Sequence, residues 1–113
     1  MKFNLTHYID EALELSPEDD AAFEVAINAW DTEMLDRGVL VGGSRLRPVS
    51  EATTLRVRDG EVLVSDGPFA ETKEQIAGYS VLECADMAEA IEVASAHPTA
   101  KIGTFELRPL WED

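Results

Sequence analysis

With 113 residues, 45% of them hydrophobic, and no apolar run near the ~20 residues of a bilayer-spanning helix, the chain is expected to form one soluble domain over 1–113 around a single core. Its 23 acidic and 9 basic residues give a formal charge of −14, a field that repels phosphate backbones and argues against nucleic acid as a partner. The opening residues alternate polar and apolar instead of forming a signal-peptide core, and the single cysteine, Cys84, falls in a strand-like apolar run. A cytoplasmic, reducing setting, an inert core thiol and no membrane partner are the corresponding expectations.

In chain order, Phe3, Leu5, His7 and Ile9 alternate with Asn4, Thr6 and Tyr8, the period of a two-faced strand. Ser16 and Pro17 then supply a cap and a first helical residue, with Glu18, Asp19 and Asp20 at the positive helix end. Phe23, Ile27, Trp30 and Met34 form the core stripe of this helix, which Gly38 stops. Residues 39–46 read as a strand interrupted by Gly42 and Gly43. Residues 53–58 and 61–65 form a hairpin about Asp59-Gly60, a pair suited to positive φ. Past the turn at Asp66-Gly67-Pro68 and a charged stretch, 76–84 is a strand with Ile76, Leu82 and Cys84 on one side and Ala77, Tyr79 and Val81 on the other. Asp86 caps a second helix, with Met87, Ile91 and Ala94 on one face, ending near His97-Pro98. Residues 101–110 form the last strand, and the acidic tail 111–113 is expected to be mobile.

Set aside the hairpin and the order is βαββαβ, the α+β plan of ferredoxin-like domains. Both helices of that plan cover one sheet face, and the mixed pattern of 76–84 gives the other face apolar residues too. Pairing of two sheets across a two-fold axis would cover it. The competing arrangement is a monomer whose hairpin and tail fold over the sheet.

The run Asp66-Gly67-Pro68-Phe69-Ala70-Glu71-Thr72-Lys73-Glu74 concentrates turn formers and charge. As structure, Asp66 would lock the turn by accepting backbone N–H bonds while Phe69 anchors it in apolar surroundings. As function, the same loop would present Asp66, Glu71 and Lys73 to a cleft, with Asp66 as a base in acid–base chemistry. Tyr8, Glu106 and Arg108 lie on strand faces that could border that cleft, Arg108 either satisfied by Glu106 or binding a carboxylate or phenolate. His7 reads as a neutral core imidazole, and His97 as a protonated one at a helix end. Neither histidine has Cys or His at a metal-ligand spacing, so no metal and no other cofactor is expected.

DGPFAETKEQ, the preceding TTLRVRDGEVLVS, the following IAGYSVLECADMAEAIEVA and the closing FELRPL together resemble the DGPF branch of the YCII-related family over nearly the whole chain. The resemblance implies a dimeric α-β barrel, two ferredoxin-like sheets facing each other around a cleft, and leaves the small-molecule ligand unnamed. In the wider group a helix histidine and a loop aspartate are proposed as an acid–base pair on small aromatic substrates. Asp66 matches the aspartate, whereas the first helix here contains no histidine. Similar proteins occur beside or fused to extracytoplasmic-function sigma factors, which makes a sigma factor a candidate partner and a binding or regulatory module the first reading, with a small-molecule enzyme as its alternative.

Overall fold

In the computed structural model, residues 1–112 are described, and Asp113 lies outside them. Strand β1 (Lys2–Ile9) leads to helix α1 (Pro17–Asp36), strand β2 (Leu40–Arg45), the hairpin strands β3 (Thr53–Arg58) and β4 (Glu61–Asp66), strand β5 (Gln75–Glu83), helix α2 (Met87–Ser95) and strand β6 (Thr104–Pro109). β2, β5, β1 and β6 lie side by side in that order and every neighbouring pair is antiparallel, the ferredoxin-like arrangement. β3 and β4 pair only with each other, as a separate two-stranded sheet.

Local chemistry accounts for the boundaries. Ser16 Oγ accepts from the Asp19 N–H at 3.1 Å and Pro17 opens α1. At its end Gly38 adopts φ +72°, and the Val39 N–H returns to Met34 O at 2.9 Å, which satisfies a terminal carbonyl. The hairpin turns through Asp59 and Gly60, both at positive φ, as their sequence demands. Asp86 caps α2 by accepting from the Glu89 N–H at 2.9 Å. β6 begins later than the alternation indicates, because Pro98–Lys101 form a turn of 3₁₀-helix that His97 caps.

The core is one-sided. Phe3 and Leu5 of β1 and Leu82 of β5 are fully buried against Trp30 and Met34 of α1 and Ala90, Val93 and Ala94 of α2, with Val39 and Cys84 closing one end. Burial of side chains of this kind contributes roughly 1.5–3 kcal/mol each. Phe23 and Ile27 are only partly covered, so the α1 stripe is driest at its C-terminal half. In α2 the expected Ile91 points outward, 52% exposed, and Ala90 and Val93 take the inner positions. The small Ala90 and Ala94 let α2 approach the sheet closely.

β5 differs most from its sequence pattern. The pairing jumps from His7 opposite Gly78 to Tyr8 opposite Ile76, so a bulge turns Ile76 out of the core face, where it is 44% exposed. Ser80, instead of a hydrophobe, occupies the inner position. Of the tail expected to be mobile, Glu112 is held to β1, and Asp113 lies outside the described residues: the Leu110 N–H bonds Lys2 O at 2.9 Å, and the Lys2 N–H bonds the Glu112 carboxylate at 3.0 Å.

The two β2 glycines are unequal. Gly43 has φ +137°, and a Cβ there would overlap the Tyr79 carbonyl, whereas a Cβ at Gly42 would meet Val81 at an ordinary 3.7 Å. Gly43→Ala is therefore expected to cost about 2–3 kcal/mol in urea unfolding, and Gly42→Ala about 1 kcal/mol or less. Equal losses would show that the close approach of the Gly43 backbone to the Tyr79 carbonyl is not what requires glycine.

Candidate functional site

Because Phe3, Leu5 and His7 face the helices, Asn4, Thr6 and Tyr8 face the opposite way. Register places them beside Arg108, Glu106 and Thr104 of β6, respectively. Asn4 Nδ2 donates to Thr6 Oγ1 at 2.8 Å, and Arg108 donates to Glu106 at 2.7 Å. Arg108 is thus satisfied within its own strand, yet at 73% exposure this pair contributes at most about 1 kcal/mol and leaves the guanidinium accessible. Ile76, Tyr79 and Val81 of β5 supply the apolar part of this face.

At the end of this face an open groove of about 740 Å³ is lined by Tyr8, Asp10, Leu13, Thr72, Lys73, Glu74 and Ile102. The loop forming its rim is folded on itself. The Gln75 side-chain amide donates to Ala70 O at 2.9 Å and to Thr72 O at 3.2 Å, and Thr72 Oγ1 donates to Glu74 O at 2.6 Å. Glu74 is fixed across the groove by Thr104 Oγ1, which donates to its carboxylate at 2.7 Å. Lys73 makes no ion pair among the described residues. The groove therefore combines an available ammonium, a phenol, an oriented carboxylate and apolar walls at Leu13 and Ile102, a set suited to a small molecule with an apolar body and an anionic end.

Of the sequence candidates, the structure brings Tyr8 and Lys73 together in this groove and places Glu106 and Arg108 on the adjoining face. Asp66 and Glu71 line neither. Asp66 is the exposed last residue of β4, and its carboxylate takes part in no hydrogen bond among the described residues. The turn is locked instead by the Gly67 N–H to Ala52 O at 2.8 Å and by Thr54 Oγ1 to Gly67 O at 2.9 Å. Phe69 is not an anchor either; it stands 78% exposed. Glu74, Thr104 and Asp10 were not singled out from sequence. The charged run after Pro68 was the available signal for Glu74, but the pairing with Thr104 spans thirty residues.

The histidines lie on the other side of the sheet, beneath the helices. His7 shares a 3.0 Å hydrogen bond with Ser80 Oγ, its ring 4.6 Å from Phe105 and 5.0 Å from His97. His97 is 4% exposed, edge-on to Trp30 at 4.7 Å, and its Nδ1 accepts from the Thr99 N–H at 3.0 Å. Nδ1 therefore carries no proton, and the neutral ring holds its proton on Nε2. Burial lowers both rings to about 4, and in His97 the neighbouring His7 adds to the effect. His7 is the neutral core residue its strand position indicates, whereas the protonated His97 expected at a helix end is not found: its position is too dry for a charge. Burial likewise pushes the Cys84 thiol up, with Glu89 adding to the shift, so it is no ready nucleophile. Among the described residues no group of His, Cys, Asp and Glu could hold a metal ion, and no helix is long and apolar enough to cross a membrane.

The family model described as YCII-related domain matches residues 1–112. The chain belongs to the YCII-related family. It is similar to an uncharacterised protein of Rhizobium meliloti (strain 1021), with 37% identity over 116 aligned positions that cover 97% of this chain and 92% of that protein. In this YCII-related protein His97 is buried and His7 partly buried on the helix side of β1, the side opposite Tyr8.

Their burial has a pH signature. Unfolded histidines titrate near 6.5, so below that pH the denatured chain takes up protons that the native rings refuse until about pH 4. The stability conferred by burying neutral rings is complete above pH 6.5 and is lost as pH falls toward 4. Each ring adds at most about 1.4 kcal/mol per pH unit to the slope. His97→Asn, which keeps an acceptor for Thr99, is expected to flatten urea-derived stability over this range by up to one proton. An unchanged slope would mean that His97 protonates freely in the folded protein.

Proposed function

We propose that this YCII-related protein is a small-ligand-binding module of the DGPF branch, acting as a homodimer whose paired sheets border a polar cleft. The reading is carried by the groove at Tyr8, Lys73 and Glu74, which offers recognition groups while both histidines are enclosed on the far side of the sheet. A ligand with an aromatic or aliphatic body and one carboxylate or phenolate fits it, with Lys73 taking the anion, Tyr8 hydrogen-bonding it and Leu13 and Ile102 covering the body. Arg108 and Glu106 extend the polar surface into the cleft. A regulatory role beside an extracytoplasmic-function sigma factor, and a cytoplasmic location, rest on the DGPF resemblance.

An acid–base enzyme using Asp66 is the second reading. It is favoured by one observation: the Asp66 carboxylate is exposed and bonded to nothing among the described residues, and so is open to a substrate.

Calorimetric titration with benzoate and 4-hydroxybenzoate separates the two. Loss of one accessible ion pair and its charge-assisted hydrogen bond corresponds to about a tenfold weaker affinity for Lys73→Ala, with a smaller loss for Tyr8→Phe and none for Asp66→Asn. Equal affinity for wild type and Lys73→Ala would remove the groove as the binding site. Turnover abolished by Asp66→Asn with folding intact would establish the enzyme instead.

A further inference from the structure

The β3–β4 hairpin is the least self-sufficient part of the molecule. It pairs only with itself, and the bonds at its base, from the Gly67 N–H to Ala52 O and from Thr54 Oγ1 to Gly67 O, join its own two strands to each other. Register aligns Leu55 with Val64 and Val57 with Val62, so these four share one face, with Thr53 and Asp66 next in the same row at its foot. They are 61%, 61%, 54% and 63% exposed. The other face carries Arg56, Arg58, Glu61 and Leu63. A two-stranded hairpin is marginal alone in water, and one with a wholly apolar face is a surface shaped for burial. This projecting arm makes the molecule broad and thin, 47 × 44 × 19 Å, with a radius of gyration of 16.2 Å against the ~13 Å usual for a chain of this length.

We propose that the apolar face of the arm docks on a second copy of this chain, against the exposed apolar residues Val41, Ile76 and Tyr79 on β2 and β5, in a reciprocal exchange of arms. The proposal rests on the homodimer reading above and adds the surface that holds it.

Area selects the partner. The arm itself carries Arg56 and Arg58 against Asp59, Glu61 and Asp66, so its attachment rests on apolar burial and not on charge. Four half-exposed aliphatics amount to roughly 400 Å², and two arms with their two receiving surfaces come near the ~1,600 Å² of a stable interface, which a second copy of this chain supplies through its own exposed Val41, Ile76 and Tyr79. Exchange also closes under two-fold symmetry, whereas arm against arm would leave Ile76 and Tyr79 wet. It brings Asp66, at the foot of the docking face, up to the partner, so any site at Asp66 would be built from two chains.

Sedimentation equilibrium of the full chain tests this, with Val57→Asp/Val62→Asp as the variant. Both valines lie outside the core, and far-UV circular dichroism verifies that the variant keeps its fold. Wild type is expected at twice 12.4 kDa. The double variant is expected to dissociate at least about 100-fold more readily, since each buried valine contributes roughly tenfold to an association constant. Hydrogen exchange in the arm should slow as wild-type concentration rises through the dimerisation range and stay fast in the variant. A wild-type dimer matched by an equally tight variant dimer, with arm exchange independent of concentration, would overturn arm docking while leaving the dimer standing. A monomeric wild type would overturn both and leave the arm for a different protein.

Discussion

Two helices can dry only one face of a four-stranded sheet, and everything else in this molecule follows from which residues take that face. Phe3, Leu5 and Leu82 form its centre, with Trp30 and Met34 above them and the small Ala90 and Ala94 allowing α2 to settle close. Strand periodicity then assigns the intervening residues to the opposite side without further choice. Tyr8, Thr6, Asn4 and their β6 neighbours are exposed because Phe3 and Leu5 are not. The polar face and its groove are in this sense a by-product of the core.

His7 and His97 extend the same core where aliphatic side chains give way to rings. The two imidazoles, Trp30 and Phe105 meet with ring centroids 4.6 to 5.3 Å apart, edge-on except for the tilted His7–Phe105 pair, and each ring with a polar atom has a partner for it: Ser80 for His7, the Thr99 amide for His97, and Val93 O at 3.1 Å for the Trp30 indole. The chain thus turns from α2 into β6 about an aromatic cluster that tolerates nitrogen but not charge.

Elements with strong local signals were legible in the sequence: the Ser16-Pro17 start, the Asp59-Gly60 turn, the Asp86 cap and the alternation of β1 all appear where residue chemistry puts them. What depended on distant partners was not. The bulge that reverses Ile76 is set by pairing with β1, and the burial of His97 by Trp30, sixty-seven residues earlier, so neither leaves a mark in its own neighbourhood. Tyr8 and Lys73 line the groove because their strand and loop positions are locally encoded. The orientation of Glu74 has no such local signal because it comes from Thr104, and of the two readings of Asp66 the turn lock falls away because Thr54, on the neighbouring strand, performs that task. DGPFAETKEQ carried the family more securely than it carried the geometry of its own residues.

The two tryptophans differ as much as two can in one small protein: Trp30 is 4% exposed and packed edge-on against an imidazole, while Trp111 is 96% exposed. Indole emission shifts with the polarity around the ring, and a charged imidazole in contact quenches it. The protein therefore carries two optical probes of its own, one blue and sensitive to the ionisation of His97, the other red and open to dissolved quenchers. Light from one reports the packing between helices and sheet; light from the other reports the solvent at the chain's end.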